Sequence, residues 1–375
     1  MNLLRISALL CLTACPKPGD GVDPKLIADG HYLQGQSAFM KGEFAEAHKQ
    51  FAEVKKLNPA DPRLPVAEGE VYLAEVKLDD AIAAFETAAK ADGKRGATWS
   101  RLGYLYLLKR DKEKARAALD TALTLNPKDP SAHESLADLH FESGEREAGL
   151  ASLQRAFELA PELTRAELAM RLAEELPKSG RDEAVLPLLE AAVGSGAKSA
   201  PLFSELGERL VAAGRLADAA TAYTSAAKYD EKDPAWWELV GHLEVRLGHP
   251  VEAERAFRAS LQVQERGVVH VALARLCQEK QDDACVAKEL ERALVTATGE
   301  EMRETIDLAE LLYSTGRKKD ALHLYRELSE EQEQQGDLRL HLRTARLAKE
   351  LKDETTVKAA CARALAGGPS GLRCP

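Results

Sequence analysis

The sequence is poor in aromatic residues and in net positive charge. Aromatic side chains make up 5% of its 375 residues, and the formal net charge is −10. Strands favour aromatic and β-branched residues, whereas the abundant alanine, leucine and glutamate lose little rotamer freedom in helices. The composition therefore predicts an all-α chain. Because nucleic-acid binding needs clustered positive charge, we expect no nucleic-acid partner.

Familiar catalytic motifs are also missing. The chain has no GxSxG, no HExxH, no CxxC and no phosphate-binding glycine loop, and its nine histidines are scattered. No histidines stand near the cysteines at metal-ligand spacing. We therefore expect a protein that is not an enzyme and that uses no metal and no cofactor.

No apolar run near the N-terminus is long enough to span a membrane. Residues 1–14 combine Arg5, an apolar segment from Ile6 to Leu12 and a small-residue end at Thr13-Ala14, which is typical of an export signal. The segment Leu12-Thr13-Ala14-Cys15 resembles the signal of bacterial lipoproteins. That resemblance implies cleavage before Cys15 and acyl chains, including palmitate, on Cys15. An apolar start on a cytosolic protein is the alternative.

The residues after Cys15 read "PKPGDGVDPK", a composition that does not continue a helix. We expect residues 15–29 to form a flexible tether and residues 30–375 to form the folded part with a short C-terminal tail.

Small residues recur through the rest of the chain at a nearly fixed spacing. We call them anchors: Gly35, Gly69, Gly103, Ala137, Ala173, Gly207, Gly241, Ala274, Ala309 and Ala345. Most neighbouring anchors are 34 residues apart, and each lies in one of two amphipathic segments joined by a turn such as "KGEF" or "AGRL". Such periodicity predicts about ten helical hairpins that stack into a solenoid.

The pattern within each unit resembles the tetratricopeptide repeat. The third unit carries it most fully, and its matching residues are Trp99, Leu102, Gly103, Tyr106, Ala115, Leu119, Ala122 and Pro127. The resemblance implies an α-solenoid, a right-handed superhelix of about ten repeats, of which the last third is degenerate. In the fifth unit Pro177 and Pro187 predict a loosened or kinked joint.

Under the export hypothesis four cysteines remain in an oxidising compartment. Cys277 and Cys285 flank the turn of the eighth hairpin, and Cys361 precedes a glycine-containing tail that ends with Cys374. We predict the disulfides Cys277–Cys285 and Cys361–Cys374. Four buried free thiols are the alternative.

In the tetratricopeptide-repeat family the first helices of successive units line a concave groove. The resemblance implies that positions close to each anchor face a partner. The resulting candidates combine an apolar ridge with an acidic line: Tyr32, Gln36, Phe39, Glu70, Leu73, Tyr104, Leu107, Asp138, Phe141, Glu174, Glu208, Val211 and His242. This combination favours a peptide or protein partner with apolar and basic residues. Packing between units is the alternative role for the ridge.

Together these features predict a lipid-anchored adaptor or scaffold in the bacterial cell envelope. We expect it to face the periplasm, on the outer rather than the inner membrane. By resemblance, it would help to assemble pili, secretion channels or outer-membrane proteins. Two alternatives stay open: a helical cell-wall-glycan hydrolase that uses Glu134 or Asp138, and a purely structural, self-associating envelope protein.

Overall fold

The computed structural model describes residues 23–296, 302–331 and 338–367 together with Cys374, and the regular structure over these residues is helical throughout. In this described part of the chain, twenty α-helices pair into ten hairpins. The chain divides into two compact units, Met1–Ala197 and Lys198–Pro375, called unit 1 and unit 2 below. The predicted fold class, an all-α solenoid of ten helical hairpins, is confirmed by this helical content and by the hairpin pattern inside each unit.

Unit 1 contains five hairpins. Its helices are α1 (Pro24–Met40), α2 (Phe44–Leu57), α3 (Leu64–Ala74), α4 (Leu78–Ala91), α5 (Gly96–Leu108), α6 (Lys112–Leu125), α7 (Pro130–Glu142), α8 (Arg146–Leu159), α9 (Glu162–Glu175) and α10 (Val185–Gly194).

Unit 2 contains the other five. Its helices are α11 (Ala200–Ala212), α12 (Leu216–Tyr229), α13 (Ala235–Leu247), α14 (Pro250–Val263), α15 (Gly267–Glu279), α16 (Asp283–Thr296), α17 (Met302–Ser314), α18 (Lys318–Glu331), α19 (Leu338–Glu350) and α20 (Glu354–Gly367).

The predicted repeat register holds in all ten hairpins. The residue seven positions after each anchor adopts a left-handed backbone conformation that turns the chain from the first helix to the second. Six of these residues are glycines, among them Gly42 at φ 76°. The other four are Val76, Arg110, Gln281 and Lys352, at φ 56–62°. The degenerate last third therefore keeps the same turn geometry as the regular repeats.

The core of each hairpin forms where the two helices approach closely. Ala47, Ala81, Ala115, Ala219 and Ala253 are all 0% exposed, as expected for small residues between helix axes. Phe51, Phe85 and Phe257 follow four residues after three of these alanines on the same helical face and are at most 1% exposed. Alternating small and large residues thus let the helices come close without leaving a void.

The fifth repeat is irregular, as the two prolines predict. After α9 the chain forms two short 3₁₀ turns, Pro177–Ser179 and Asp182–Ala184, before the ten-residue helix α10 begins at Val185. Pro177 ends the α-helical geometry behind it, whereas Pro187 is the third residue of α10. Amide groups in the first helical turn have no intrahelical partner, so proline is tolerated there.

The first helix begins at Pro24, earlier than the predicted boundary at residue 30. Asp23 caps it by accepting a hydrogen bond from the backbone amide of Lys25 at 2.9 Å, and Pro24 occupies the first helical position, where its fixed φ suits a helix. The proposed signal, residues 1–14, and Cys15 lie outside the described residues. Among the helices that the structure describes, none is both long and apolar enough to cross a membrane.

Both predicted cysteine pairs are joined in the structure. Cys277 at the end of α15 pairs with Cys285 at the start of α16, and Cys361 in α20 pairs with Cys374. The Cα atoms are 5.7 Å apart in each pair, inside the range that a disulfide requires. The first bridge ties together the two helices of the eighth hairpin.

Candidate functional site

An open cavity lies on the face of unit 1 formed by the first helices of the second, third and fourth repeats. It measures about 630 Å³ and is lined by Leu73 of α3, by Ala97, Ser100, Arg101 and Tyr104 of α5, and by Asp129, Ser131, Glu134, Ser135 and Asp138 at the start and along α7. Leu73, Tyr104 and Asp138 are among the groove residues that the repeat register predicts. The predicted groove and the cavity therefore coincide on this part of the chain.

Small side chains are what leave the space open. Along α5 and α7, the lining positions include Ala97, Ser100, Ser131 and Ser135. None of these four side chains is long enough to fill the space between the two helices. The cavity is therefore bounded by small side chains on α5 and α7 and by the longer side chains of Leu73, Arg101 and Tyr104.

Arginine–carboxylate pairs join neighbouring first helices on both sides of the cavity. Arg101 donates from Nε to Glu70 Oε1 at 2.9 Å. Arg171 of α9 donates to Glu134 Oε1 at 2.5 Å and also to Asp138 Oδ1. Both arginines stand two residues before an anchor, and each meets a carboxylate one residue after the preceding anchor. The acidic line predicted from the sequence is thus partly neutralised by the next repeat.

Sequence reasoning missed these arginines. The signal was available, because Arg101, Arg171 and Arg343 all stand two residues before an anchor. In unit 2, Arg343 pairs with Glu310 in the same way. Between α5 and α7 the equivalent positions hold Tyr104 and Ser135, which form no such pair.

Arg171 also bears on the glycan-hydrolase alternative. Burial alone would lower the pKa of Arg171, but Asp138 and Glu134 raise it above its ordinary value. The Arg171 guanidinium contacts Glu134 and Asp138 together, so both carboxylates serve as ion-pair partners between neighbouring repeats. These contacts give the two carboxylates a structural role and add no support to that alternative.

At the N-terminal end of unit 1, the candidate residues of α1 contact other residues of the chain. The Tyr32 ring lies 4.4 Å from the Arg63 guanidinium carbon and 5.8 Å from the Phe51 ring, and burial raises its pKa. Gln36 is exposed and donates to the Tyr32 hydroxyl at 3.3 Å. Phe39 packs against Phe44, with ring centroids 6.3 Å apart. Of these three candidates, only Gln36 is classed as exposed.

The apolar ridge divides between packing and groove. Leu73 is half-buried and lines the cavity, whereas Leu107 is only 6% exposed and belongs to the hydrophobic core around α5 and α6. The burial of Leu107 fits the alternative role of the ridge, which is packing between helices. Phe141 is half-buried and packs over Gly149, where even a methyl group would be 2.5 Å from the ring. Glu174 is exposed and pairs with Lys178 at 2.7 Å.

Unit 2 carries three of the candidate residues. Glu208 is exposed and Val211 is half-buried, both on α11. The His242 ring on α13 lies edge-on to Phe257, with centroids 5.1 Å apart. Over the described residues, no group of three or more histidine, cysteine, aspartate or glutamate side chains is placed to hold a metal ion.

Comparison with known proteins identifies the repeats. The family model of the tetratricopeptide repeat matches residues 66–130, 100–164 and 204–266. Residues 66–164 and 204–266 are therefore tetratricopeptide repeats. The matched ranges include all the residues that line the cavity of unit 1. Stacked helical repeats of this kind form extended concave surfaces that bind other molecules.

Three solved structures illustrate the similarity. The MamA protein is 18% identical, with a TM-score of 0.38, over 44% of this chain and 90% of its own. MamA from Desulfovibrio magneticus RS-1 is 17% identical, with a TM-score of 0.39, over 44% of this chain and 93% of its own. YrrB, described as a tetratricopeptide-repeat protein with an unusual peptide-binding site, is 17% identical, with a TM-score of 0.36, over 53% of this chain and 98% of its own. Among curated proteins, none matches the chain.

Proposed function

We propose that this protein is a lipid-anchored adaptor of the bacterial cell envelope. In this proposal acyl chains on Cys15 hold it on the periplasmic side of the outer membrane. The groove of unit 1 recruits another envelope protein, for example a component of a pilus, a secretion channel or an outer-membrane assembly.

The binding part of the proposal depends on the cavity between α3, α5 and α7. A pocket of about 630 Å³ is large enough for one or two side chains of an extended peptide. It opens on the face where Tyr104 is 37% exposed, and an aromatic ring half in water is a common anchor for a partner. Carboxylates beside it give the surface an acidic character.

The envelope part of the proposal depends on the cysteines. Disulfides persist in oxidising compartments such as the periplasm and are rare in the cytosol. Two cysteine pairs at bonding distance therefore favour export. The lipoprotein-like segment Leu12–Cys15 supports the same conclusion, and several acyl chains together would anchor the protein stably.

Metabolic labelling with an alkyne fatty acid tests the anchor. We expect the full chain and a Cys11→Ser variant to incorporate the label, because Cys11 is removed with the signal. A Cys15→Ser variant should not be labelled. Label that persists in Cys15→Ser would contradict lipidation at this residue and weaken the envelope assignment.

Affinity capture of envelope partners tests the adaptor role. A Tyr104→Ala, Glu174→Lys double variant should lose its specific partners, because both changes fall on the groove face. An Asp120→Lys variant, which adds positive charge to the exposed surface of α6, is the matched control and should keep them. Unchanged partners in the double variant would contradict binding through the groove, and capture of this chain alone would favour the self-associating alternative.

A further inference from the structure

Two serine hydroxyl groups open into the cavity of unit 1. Ser100 and Ser135 are each 5% exposed and both line the cavity. Neither hydroxyl makes a hydrogen bond to any of the described residues. Each serine is buried by its neighbours, while its hydroxyl oxygen stays open to the cavity. A ligand that fills the cavity must therefore supply a hydrogen bond to each hydroxyl or leave it unpaired at a cost in free energy.

The carboxylates beside them also keep free acceptor oxygens. Arg171 uses Oε1 of Glu134 and Oδ1 of Asp138, which leaves Oε2 and Oδ2 without partners among the described residues. Asp129 accepts from the backbone amides of Ser131 and Ala132 through Oδ1 alone. The cavity wall therefore offers several acceptors, and the hydroxyls are able to accept as well.

The net negative charge around the cavity favours a positively charged ligand group. Asp129, Glu134 and Asp138 line the cavity, and Glu70 stands behind Arg101. These four carboxylates are balanced by only two guanidinium groups, those of Arg101 and Arg171, so the surroundings carry a formal charge of −2. An anionic side chain would be repelled, and an apolar one would leave the hydroxyls and carboxylate oxygens unpaired.

An aromatic ring completes the wall. Tyr104 is 37% exposed, and Leu73 lies across from it on α3. The face of a tyrosine ring attracts a cation, and the apolar stem of a long basic side chain packs against leucine. Acceptors, negative charge and an aromatic face together match one kind of ligand group.

We propose that this cavity binds one lysine or arginine side chain of the protein partner. The inference deepens the proposed function and rests on it. The N–H groups of the basic side chain donate to the free oxygens of Glu134 and Asp138 and to the Ser100 and Ser135 hydroxyls, while its stem lies between Tyr104 and Leu73. The carboxylate oxygens that it would meet, Oε2 of Glu134 and Oδ2 of Asp138, have no other partner among the described residues.

Arg171 acts as a resident competitor in this arrangement. Its guanidinium occupies one oxygen of each carboxylate and adds a positive charge beside the site. Removal of that charge should strengthen binding of a basic ligand, an effect opposite to the loss expected from most substitutions at a half-buried site. The direction of the change in affinity therefore distinguishes electrostatic recognition from a general loss of structure.

Selection from a phage library of random dodecapeptides on the immobilised full chain tests the proposal. We expect the enriched peptides to share one lysine or arginine at a fixed position. Replacement of that residue by glutamine in a synthetic peptide should weaken binding at least about tenfold, which corresponds to about 1.4 kcal/mol. The interaction is measured by fluorescence anisotropy.

Three variants locate the effect. A Glu134→Gln, Asp138→Asn double variant should bind the basic peptide weakly, with the affinity that the unaltered chain has for the glutamine peptide. The affinity of the double variant for the glutamine peptide should be little lower than that. Arg171→Met should bind the basic peptide more tightly than the unaltered chain does. Glu113→Gln, which neutralises an exposed carboxylate of α6, is the matched control and should change neither affinity.

The possible failures are distinguishable. Enriched peptides without a basic preference would overturn the inference while leaving the groove as a binding site. A basic preference that survives in the folded double variant, as judged by circular dichroism, would place the cation elsewhere and overturn it too. If the double variant does not fold, an unchanged or weakened affinity of Arg171→Met would overturn the inference by itself. The absence of any enriched peptide would overturn both this inference and peptide binding by the groove.

Discussion

At the scale of single residues, the anchors determine how closely the two helices of a hairpin approach. The side chain sixteen positions after a glycine anchor lies directly over it, as Phe257 lies over Gly241 and Phe51 over Gly35. A Cβ atom at Gly241 would be 2.5 Å from Phe257 Cε1. At three of the five alanine anchors the equivalent position holds leucine, as Leu153 does for Ala137. The chain thus matches a smaller anchor with a larger partner in most repeats.

Exchange of this matched pair is a direct test. Gly241→Ala should lower the urea midpoint, because overpacking costs about 1–3 kcal/mol and exceeds the roughly 1 kcal/mol that alanine contributes through helix propensity. Phe257→Leu should cost less in the Gly241→Ala background than in the unaltered chain, because the pair then resembles Ala137 and Leu153. Strictly additive effects of the two substitutions would contradict this packing.

Asp61 is a second residue with a specific role. It is 3% exposed, and Arg63 donates to it at 2.9 Å from Nε and 2.6 Å from Nη2 while also reaching Asp29. Hydrogen bonds from Arg63 lower the pKa of Asp61 below its ordinary value of 3.8. The ion pair therefore stabilises the fold above that pH, and its contribution disappears as the pH falls through the lowered pKa.

Asp61→Asn should consequently reduce stability at neutral pH by about 1–3 kcal/mol, since it leaves a charged hydrogen-bonding group of Arg63 less well satisfied. The difference between variant and unaltered chain should shrink as the pH is lowered below the ordinary pKa of aspartate. Thermal melts of both proteins across a pH series measure this difference in stability. A difference that does not change with pH would contradict the ionised state of Asp61.

At the scale of helices and turns, the left-handed turn residue is the repeated feature. Glycine adopts positive φ without steric cost, whereas a β-branched residue there is strained. Val76 has φ 62° and is 76% exposed, so it gains little from packing in return. Gly42 occupies the equivalent turn of the first repeat, and a Cβ atom built on it would have no neighbour within 4 Å.

A matched pair of substitutions tests the cost of this turn. Val76→Gly should raise the melting temperature of the protein, and Gly42→Val should lower it, each by the equivalent of about 1–2 kcal/mol. The clear space around Gly42 means that backbone strain alone causes the loss. A stabilising Gly42→Val or a destabilising Val76→Gly would contradict the assignment of these turn positions.

The helices themselves were largely predictable from the sequence, and the contacts between repeats were not. Anchor spacing and turn motifs identified ten hairpins, because both depend on residues close together in the chain. The pairing of Arg171 with Asp138 joins residues 33 positions apart in different repeats. To predict this pairing from the sequence, one has to align two neighbouring repeats and compare the positions that face each other. The burial of Leu107 depended on side-chain direction within one helix, which the repeat position alone did not resolve.

At the scale of the whole molecule, a single chain combines a proposed N-terminal anchor, a groove in unit 1 and cross-linked cysteines in unit 2. The repeat register predicts part of the cavity lining but not the origin of the cavity. The first-helix rule led to Leu73, Tyr104 and Asp138, whereas the cavity exists because Ser100 and Ser135 are small. A serine at such a position looks unremarkable in a sequence, and only the assembled helices reveal the space around it.

The most direct test of the adaptor role is site-specific photo-crosslinking in the native envelope. The photoreactive amino acid p-benzoylphenylalanine at position 104 faces the groove, and at position 120 it faces away on the exposed surface of α6. We predict a defined crosslinked partner from position 104 that is absent from position 120 and is lost when Glu134→Gln and Asp138→Asn are added. Equal crosslinking from both positions, or none from position 104, would contradict an adaptor that binds through the groove of unit 1.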